Sequence, residues 1–207
     1  MPTKKIKRNY RKAKYVLYKE TLVDFKEHFW AFIGAFVGMG TIAFLQYNAF
    51  PNQDYVFLIG SFGASCVLVY GVIQSPLAQP RNLIGGHVIS ALVGVTAAKL
   101  FPDMLWLASA VAVAFAIVGM QITKTLHPPG GATALIAVTG SPAILKLGYG
   151  YVLFPVLSGA MILLIVAMVF NNMTTNRQYP TNKNFTRFRN KIKNSIKSVK
   201  PQETITE

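Results

Sequence analysis

The chain has 207 residues and a net charge of +14, yet only 14% of its residues are charged, 52% are hydrophobic and mean hydropathy is +0.39. Soluble domains carry about 25% charged residues, so an ordinary soluble domain is excluded. Nine of the 21 Lys and Arg residues lie in positions 1–26 and eight more run from Arg177 to Lys200, so basic tails flank an apolar middle. That is the pattern of a membrane protein with both ends in the cytoplasm, and it argues against nucleic-acid binding.

Residues 1–28 read as a basic cytoplasmic tail that becomes an interfacial amphipathic helix. Tyr15, Tyr18, Leu22, Phe25 and Phe29 recur at helical spacing among Lys14, Lys19 and Lys26, a pattern suited to anionic lipid headgroups. A cytoplasmic helix packed on a second subunit is the alternative, and a homo-oligomer stays open. No cleavable signal is expected, because a charged stretch of nearly thirty residues precedes the first apolar run. A bacterial inner membrane is the expected location.

The transmembrane domain is expected over residues 29–172, followed by a basic C-terminal tail over 173–207. Phe29 to Gln46 forms the first membrane segment, with Gly34-x-x-x-Gly38 as a face for close helix contact. Tyr47 to Asp54 carries no Lys or Arg and reads as an outer turn. Tyr55 to Ile73 is interrupted by Gly60-Ser-Phe-Gly-Ala-Ser65. Leu83 to Leu100 follows Ser75-Pro-Leu-Ala-Gln-Pro-Arg-Asn82, and Met104 to Ile122 is apolar all round. Thr125-Leu-His-Pro-Pro-Gly-Gly-Ala-Thr-Ala-Leu135 should break a helix and restart it near Pro129, with an apolar run only to Val138. Tyr151 to Phe170 is the last segment.

Two stretches match in register: Gly63-Ala-Ser-Cys-Val-Leu68 and Gly131-Ala-Thr-Ala-Leu-Ile136, each followed by a Ser-Pro pair. The chain thus reads as two halves, about 29–100 and 104–170, each running long segment, broken segment, long segment. Paired broken segments point to a transporter's binding site. The fold class expected is an all-α membrane bundle of four to six transmembrane segments with two broken or re-entrant half-helices. Six crossings would invert one half against the other; four would leave them parallel. The length of Tyr55–Ile73 favours six.

Polar groups at membrane depth are costly and are kept mostly for function. The candidates for substrate binding are Ser61, Gly63, Ser65, Arg81, Asn82, His87, His127, Pro128, Pro129, Gly130, Gly131 and Thr133. Each has a structural alternative: a helix cap for His127, a packing contact for His87, lipid snorkelling for Arg81, bonds to their own helix for the hydroxyls. No Asp or Glu lies between Asp54 and Asp103 or from Lys124 to the tail. Carboxylate catalysis, a metal site and a cofactor are therefore not expected, and neither is an enzyme. Helix starts with free amides, beside cations and without carboxylates, suit a small anion.

These same stretches carry a resemblance. His127-Pro-Pro-Gly-Gly-Ala-Thr-Ala-Leu135, Gly60–Ser65, Ser75–Asn82, Gly85-Gly-His87 and Arg177-x-Tyr179-Pro180 resemble the HPP family of integral membrane proteins over roughly residues 25–180. Members in plants and cyanobacteria are associated with nitrite transport, so the resemblance implies a transporter or channel for nitrite or a similar small anion. One departure is Thr181-Asn182, where the family often has tryptophan after Tyr-Pro. The other readings are a pore for a neutral or weakly acidic solute, and a membrane scaffold or sensor.

Overall fold

The structure is a computed structural model that describes residues 25–49, 56–174 and 177–181. The stretch from Tyr15 to Asp24, both outer parts of the basic tails, and Asp54 in the first turn lie outside the described residues. Within them the chain is all helical. The α-helices are α1 (Phe25–Ala49), α2 (Gly60–Cys66), α3 (Pro80–Leu100), α4 (Leu105–Ile122), α5 (Pro128–Thr139), α6 (Pro142–Lys146) and α7 (Ser158–Phe170). The wider π winding continues α2 over Val67–Gly71 and precedes α7 over Val152–Leu157.

Four helical stretches are long and apolar enough to cross a membrane: Phe25–Ala49, Pro80–Leu100, Leu105–Ile122 and Val152–Phe170. The remaining two, Gly60–Gly71 and Pro128–Thr139, have twelve residues each. At about 1.5 Å per residue, such a helix covers little more than half of a ~30 Å hydrocarbon core. Each half-helix is led in by non-helical chain that makes up the difference. Phe57 N donates to Gln46 Oε1 near the C-terminal end of α1 (2.7 Å), while Tyr70 lies against Gly34 and Gly38 in the other half of α1. Residues 56–71 therefore run the length of α1 in the opposite direction.

The second broken segment behaves in the same way along α3. Asn82 holds the Leu126 carbonyl (2.7 Å), the His127 side chain lies over Gly86, and Ala134 and Ala137 lie over Gly94. Residues 125–139 thus follow α3 in its own direction. Together the four long helices and two broken segments make six passes, and the two halves are inverted. The second pass is made by extended chain plus half-helix, not by the helix over all of Tyr55–Ile73 that the apolar run length suggested.

The sequence explains where these elements begin. Ser75 and Ser141 each cap a short helical turn with proline next in line: Leu77 N donates to Ser75 Oγ (3.2 Å) and Ile144 N to Ser141 Oγ (3.5 Å). One break escapes the expectation of a continuous last segment. Phe154 leaves helical dihedrals (φ −135°, ψ 123°), because a residue before proline is pushed out of the α region. Its ring is then free to stack on Phe57 at 5.0 Å.

Burial is distributed as lipid requires. Large apolar side chains such as Phe32, Phe36, Trp106 and Phe115 point outward, whereas the interior holds small and polar groups. Ala108, Ala112 and Ala116 form a fully buried stripe on α4, packed with Ala134 and Met120. The larger core gathers Phe62, Tyr70, Val156 and Leu163. The Gly34-x-x-x-Gly38 face receives the ring of Tyr70, whose hydroxyl donates to Leu163 O (3.0 Å). Gly159 likewise receives Phe62.

One end of the bundle is pinned by Arg177. Its guanidinium donates to Glu27 Oε2 (2.8 Å), Asn171 Oδ1 (2.8 Å) and the Tyr70 carbonyl (2.7 Å), and Asn171 holds the Val69 carbonyl (2.9 Å). Burial works against the charge and the neighbouring carboxylate works for it. Tyr179 closes the same end, donating to Ala78 O (2.7 Å). Arg177 is 2% exposed, so removing it strands a carboxylate and two carbonyls. Arg177→Ala is expected to cost about 3 kcal/mol or more. Arg177→Lys should restore less than half of that, since a lysine lacks the planar fork. Thermal unfolding of the detergent-solubilised variants checks both.

Candidate functional site

Where the two half-helices pass each other, four buried polar side chains form one chain of hydrogen bonds. His127 Nδ1 meets the Leu77 carbonyl (2.8 Å) and its Nε2 meets Ser65 Oγ (2.9 Å). Ser65 Oγ also meets His87 Nε2 (2.7 Å), and His87 Nδ1 meets Thr133 Oγ1 (2.7 Å). All four side chains are fully shielded from solvent. The imidazole rings lie edge to face at 5.0 Å, and Phe62 packs edge-on against His87 at 5.5 Å.

Each participant is placed by a local sequence feature. His127 is the residue before Pro128, and its extended dihedrals (φ −143°, ψ 103°) are those that a following proline enforces. Gly86 gives its side chain room, since a Cβ there would collide with that of His127. Gly130 lets α5 approach Ser90 and the Gly86 carbonyl on α3. His87 projects from α3 between the half-helices. Ser65 and Thr133 are equivalent positions of the internal repeat, so one histidine is bonded at its two nitrogens by the two copies of one position.

The bonding fixes the protons. A carbonyl can only accept, so the hydrogen of a neutral His127 sits on Nδ1 and Nε2 presents a lone pair. Ser65 must donate to it and accept from His87 Nε2–H. His87 Nδ1 is then a lone pair that Thr133 fills. Each hydroxyl also has a second acceptor in its own helix: Ser61 O lies 3.1 Å from Ser65 Oγ and Pro129 O 3.4 Å from Thr133 Oγ1. A proton arriving on either histidine turns a lone pair into a donor. The neighbouring hydroxyl can then rotate toward its backbone carbonyl, and no buried donor is orphaned. The network is satisfied in both protonation states.

The other sequence candidates sit elsewhere. Arg81 is exposed at one end of the bundle and donates to the Thr123 carbonyl (2.6 Å), so it holds the α4–α5 connection rather than the centre. Asn82 supports the lead-in to His127. Pro129 and Gly130 are buried packing positions, Pro128 is exposed, and a side chain at Gly63 or Gly131 would meet open space. Ser61 is buried and its hydroxyl has no partner.

The helix-start amides divide unequally. Gly130 N donates to His127 O (2.8 Å) and Pro128 and Pro129 have no N–H, so the His-Pro-Pro helix start presents no free amide before Gly131. The expected anion site at that terminus therefore has no amide donor ahead of Gly131, and the buried polar groups beside it are the hydroxyl–histidine chain. Tyr151, which hydropathy gave no reason to single out, lies beside this centre. Tyr151 donates to the Thr133 carbonyl (3.3 Å) from inside the core. Among the described residues the carboxylates are Glu27 and Asp103, at opposite ends of the bundle.

Residues 20–180 match the family described as HPP, transmembrane region. Two transmembrane proteins of Dictyostelium discoideum are 43% and 44% identical to the chain over 160 residues, 76% of its length. The matched part is 51% of one relative and 56% of the other, so the chain spans about half the length of the curated relatives it matches. No solved structure matches.

Ser65→Ala would leave His127 Nε2 without its donor and His87 Nε2 without its acceptor. A loss of about 2–3 kcal/mol in stability is expected. Side-chain nitrogen-15 spectra should show Nδ1–H on His127 and Nε2–H on His87 in the parent protein. They should show that assignment scrambled in the variant. The opposite tautomers in the parent would contradict the deduced bonding.

Proposed function

The chain belongs to the HPP transmembrane family, and on that footing we propose that it is a transporter, not an enzyme, that carries nitrite or an inorganic anion of similar size together with a proton. The observation that carries this reading is the buried chain Leu77–His127–Ser65–His87–Thr133, which is fully bonded whether or not a histidine is protonated. A net positive charge in such a place is costly without a partner, and among the described residues no carboxylate is near. A small anion supplies the partner, and anion and proton then cross as a neutral pair. The family resemblance adds nitrite as the member of this class to test first.

The loss of free amides at the His-Pro-Pro helix start favours one variant of the reading. A pore for the neutral conjugate acid needs hydroxyls and imidazoles but no standing positive charge. The two are separated by saturation, since a carrier's uptake levels off with rising nitrite and a pore's does not. In either case the proposed orientation puts the Arg177 end and the basic tails in the cytoplasm of a cell inner membrane, against anionic headgroups.

Nitrite uptake into proteoliposomes is the test. Uptake should saturate, follow an imposed pH gradient, and fall at least tenfold in His87→Ala and in His127→Ala. Arg81→Ala should keep at least half of it, because Arg81 lies outside the centre. Full uptake in both histidine variants would refute the site. Uptake linear in nitrous acid, without saturation, would favour the pore.

A further inference from the structure

At the end of the bundle away from Arg177 there is a cavity of about 240 Å³. It lies between the C-terminal ends of α3 and α5, with Lys99, Ala137, Val138, Leu145 and Tyr151 among its lining residues. Resting on the transport reading above, the geometry points to this cavity as a second, outer site that captures the small anion before it reaches the histidines.

Three observations converge on it. First, the repeat relates Val69 and Tyr70 to Ala137 and Val138. The first pair offers its carbonyls to Asn171 and Arg177, whereas the second pair lines open space. A helix C-terminus carries partial negative charge and draws a cation. At the first half-helix that cation is Arg177, locked to Glu27. At the second the cation in the same cavity wall is Lys99, which is exposed, lies 5.6 Å from the centre of the Tyr149 ring and forms no ion pair among the described residues. Among the described residues no carboxylate lines the cavity.

Second, the cavity adjoins the centre through one shared side chain. Tyr151 lines it and donates to the carbonyl of Thr133, the residue whose hydroxyl ends the histidine chain. One side chain and one residue separate the two sites. Third, the cavity has room for an inorganic anion with part of its hydration shell, and Gly148 forms its wall beside Lys99. That glycine has a φ of +52°, and a Cβ there would stand 3.8 Å from Lys99 Nζ. Removing the charge of Lys99 also leaves the helix-end carbonyls uncompensated, so the cavity should then repel anions.

The experiment places a reporter thiol in the cavity through Leu145→Cys in the full chain, reconstituted in liposomes. Cys66 is buried, so the parent chain sets a low labelling background. Nitrite in the bath should slow labelling by a neutral maleimide at least fivefold. Adding Lys99→Gln should abolish that protection, and Lys99→Arg should retain it. In uptake, Lys99→Gln should raise the half-saturating nitrite concentration about tenfold and leave the maximal rate within twofold. A purely structural lysine would lower the unfolding temperature without moving either readout. Protection without uptake by the parent chain would sink the transport reading and keep the capture site. Failure of nitrite, chloride and thiocyanate alike to protect, or protection that survives Lys99→Gln, would overturn the capture site.

Discussion

The architecture depends on a requirement that lipid imposes and water does not: a polar group at membrane depth must find its partner within the protein. A broken helix exposes such groups at its break. Here the breaks lie side by side, and the hydroxyls and imidazoles next to them satisfy one another. Leu77 O, which lies in the turn before α3, takes the proton of His127 and thereby orders every bond as far as Thr133. The two halves of the chain are joined by this chain of bonds as much as by their apolar packing. A core of alanine and leucine would pack the same helices with no such ordering and no place for a proton.

The inverted repeat explains how so small a protein builds this centre. Ser65 and Thr133 descend on the site from opposite directions, each four residues beyond the carbonyl that serves as its second acceptor. Equivalent positions in inverted halves meet near the axis that relates them, so His87 finds a hydroxyl at both nitrogens. The glycines serve that convergence. Gly86 and Gly130 bring α5 onto α3, and Gly159 admits Phe62. Each removes a side chain at the one place where backbone and ring must come within contact distance.

Much of this was legible in the sequence. The Gly60–Ser65 and His127–Thr133 breaks and the register between them follow from proline, glycine and apolar run length. The shared bonding of His87, His127, Ser65 and Thr133 was legible only as a set of costly polar residues, since their distances depend on how α3 threads between the half-helices. Arg81 looked like a site cation because charge is visible in sequence and depth is not. It lies at the end of the bundle, bonded to Thr123 O. Arg177 stood in a motif without an evident role, because its partners Glu27, Tyr70 and Asn171 are brought together only by tertiary packing. The kink at Phe154-Pro155 carried a plain local signal in its proline, which strong hydropathy on both sides concealed.

The two ends of the bundle differ although the halves repeat, and the difference traces to how the half-helix carbonyls are answered. At Val69 and Tyr70 a buried guanidinium and an amide close the end, with Tyr179 packed beneath the turn at Ala78. At Ala137 and Val138 the chain turns away through Ser141-Pro142, and no side chain of comparable reach returns to the carbonyls. The space left is the cavity beside Lys99. A guanidinium held by four acceptors is fixed in place, while an ammonium on a flexible stem can exchange one partner for another. Closure at one end and access at the other thus follow from which cation each helix terminus received, with the same repeat on both sides.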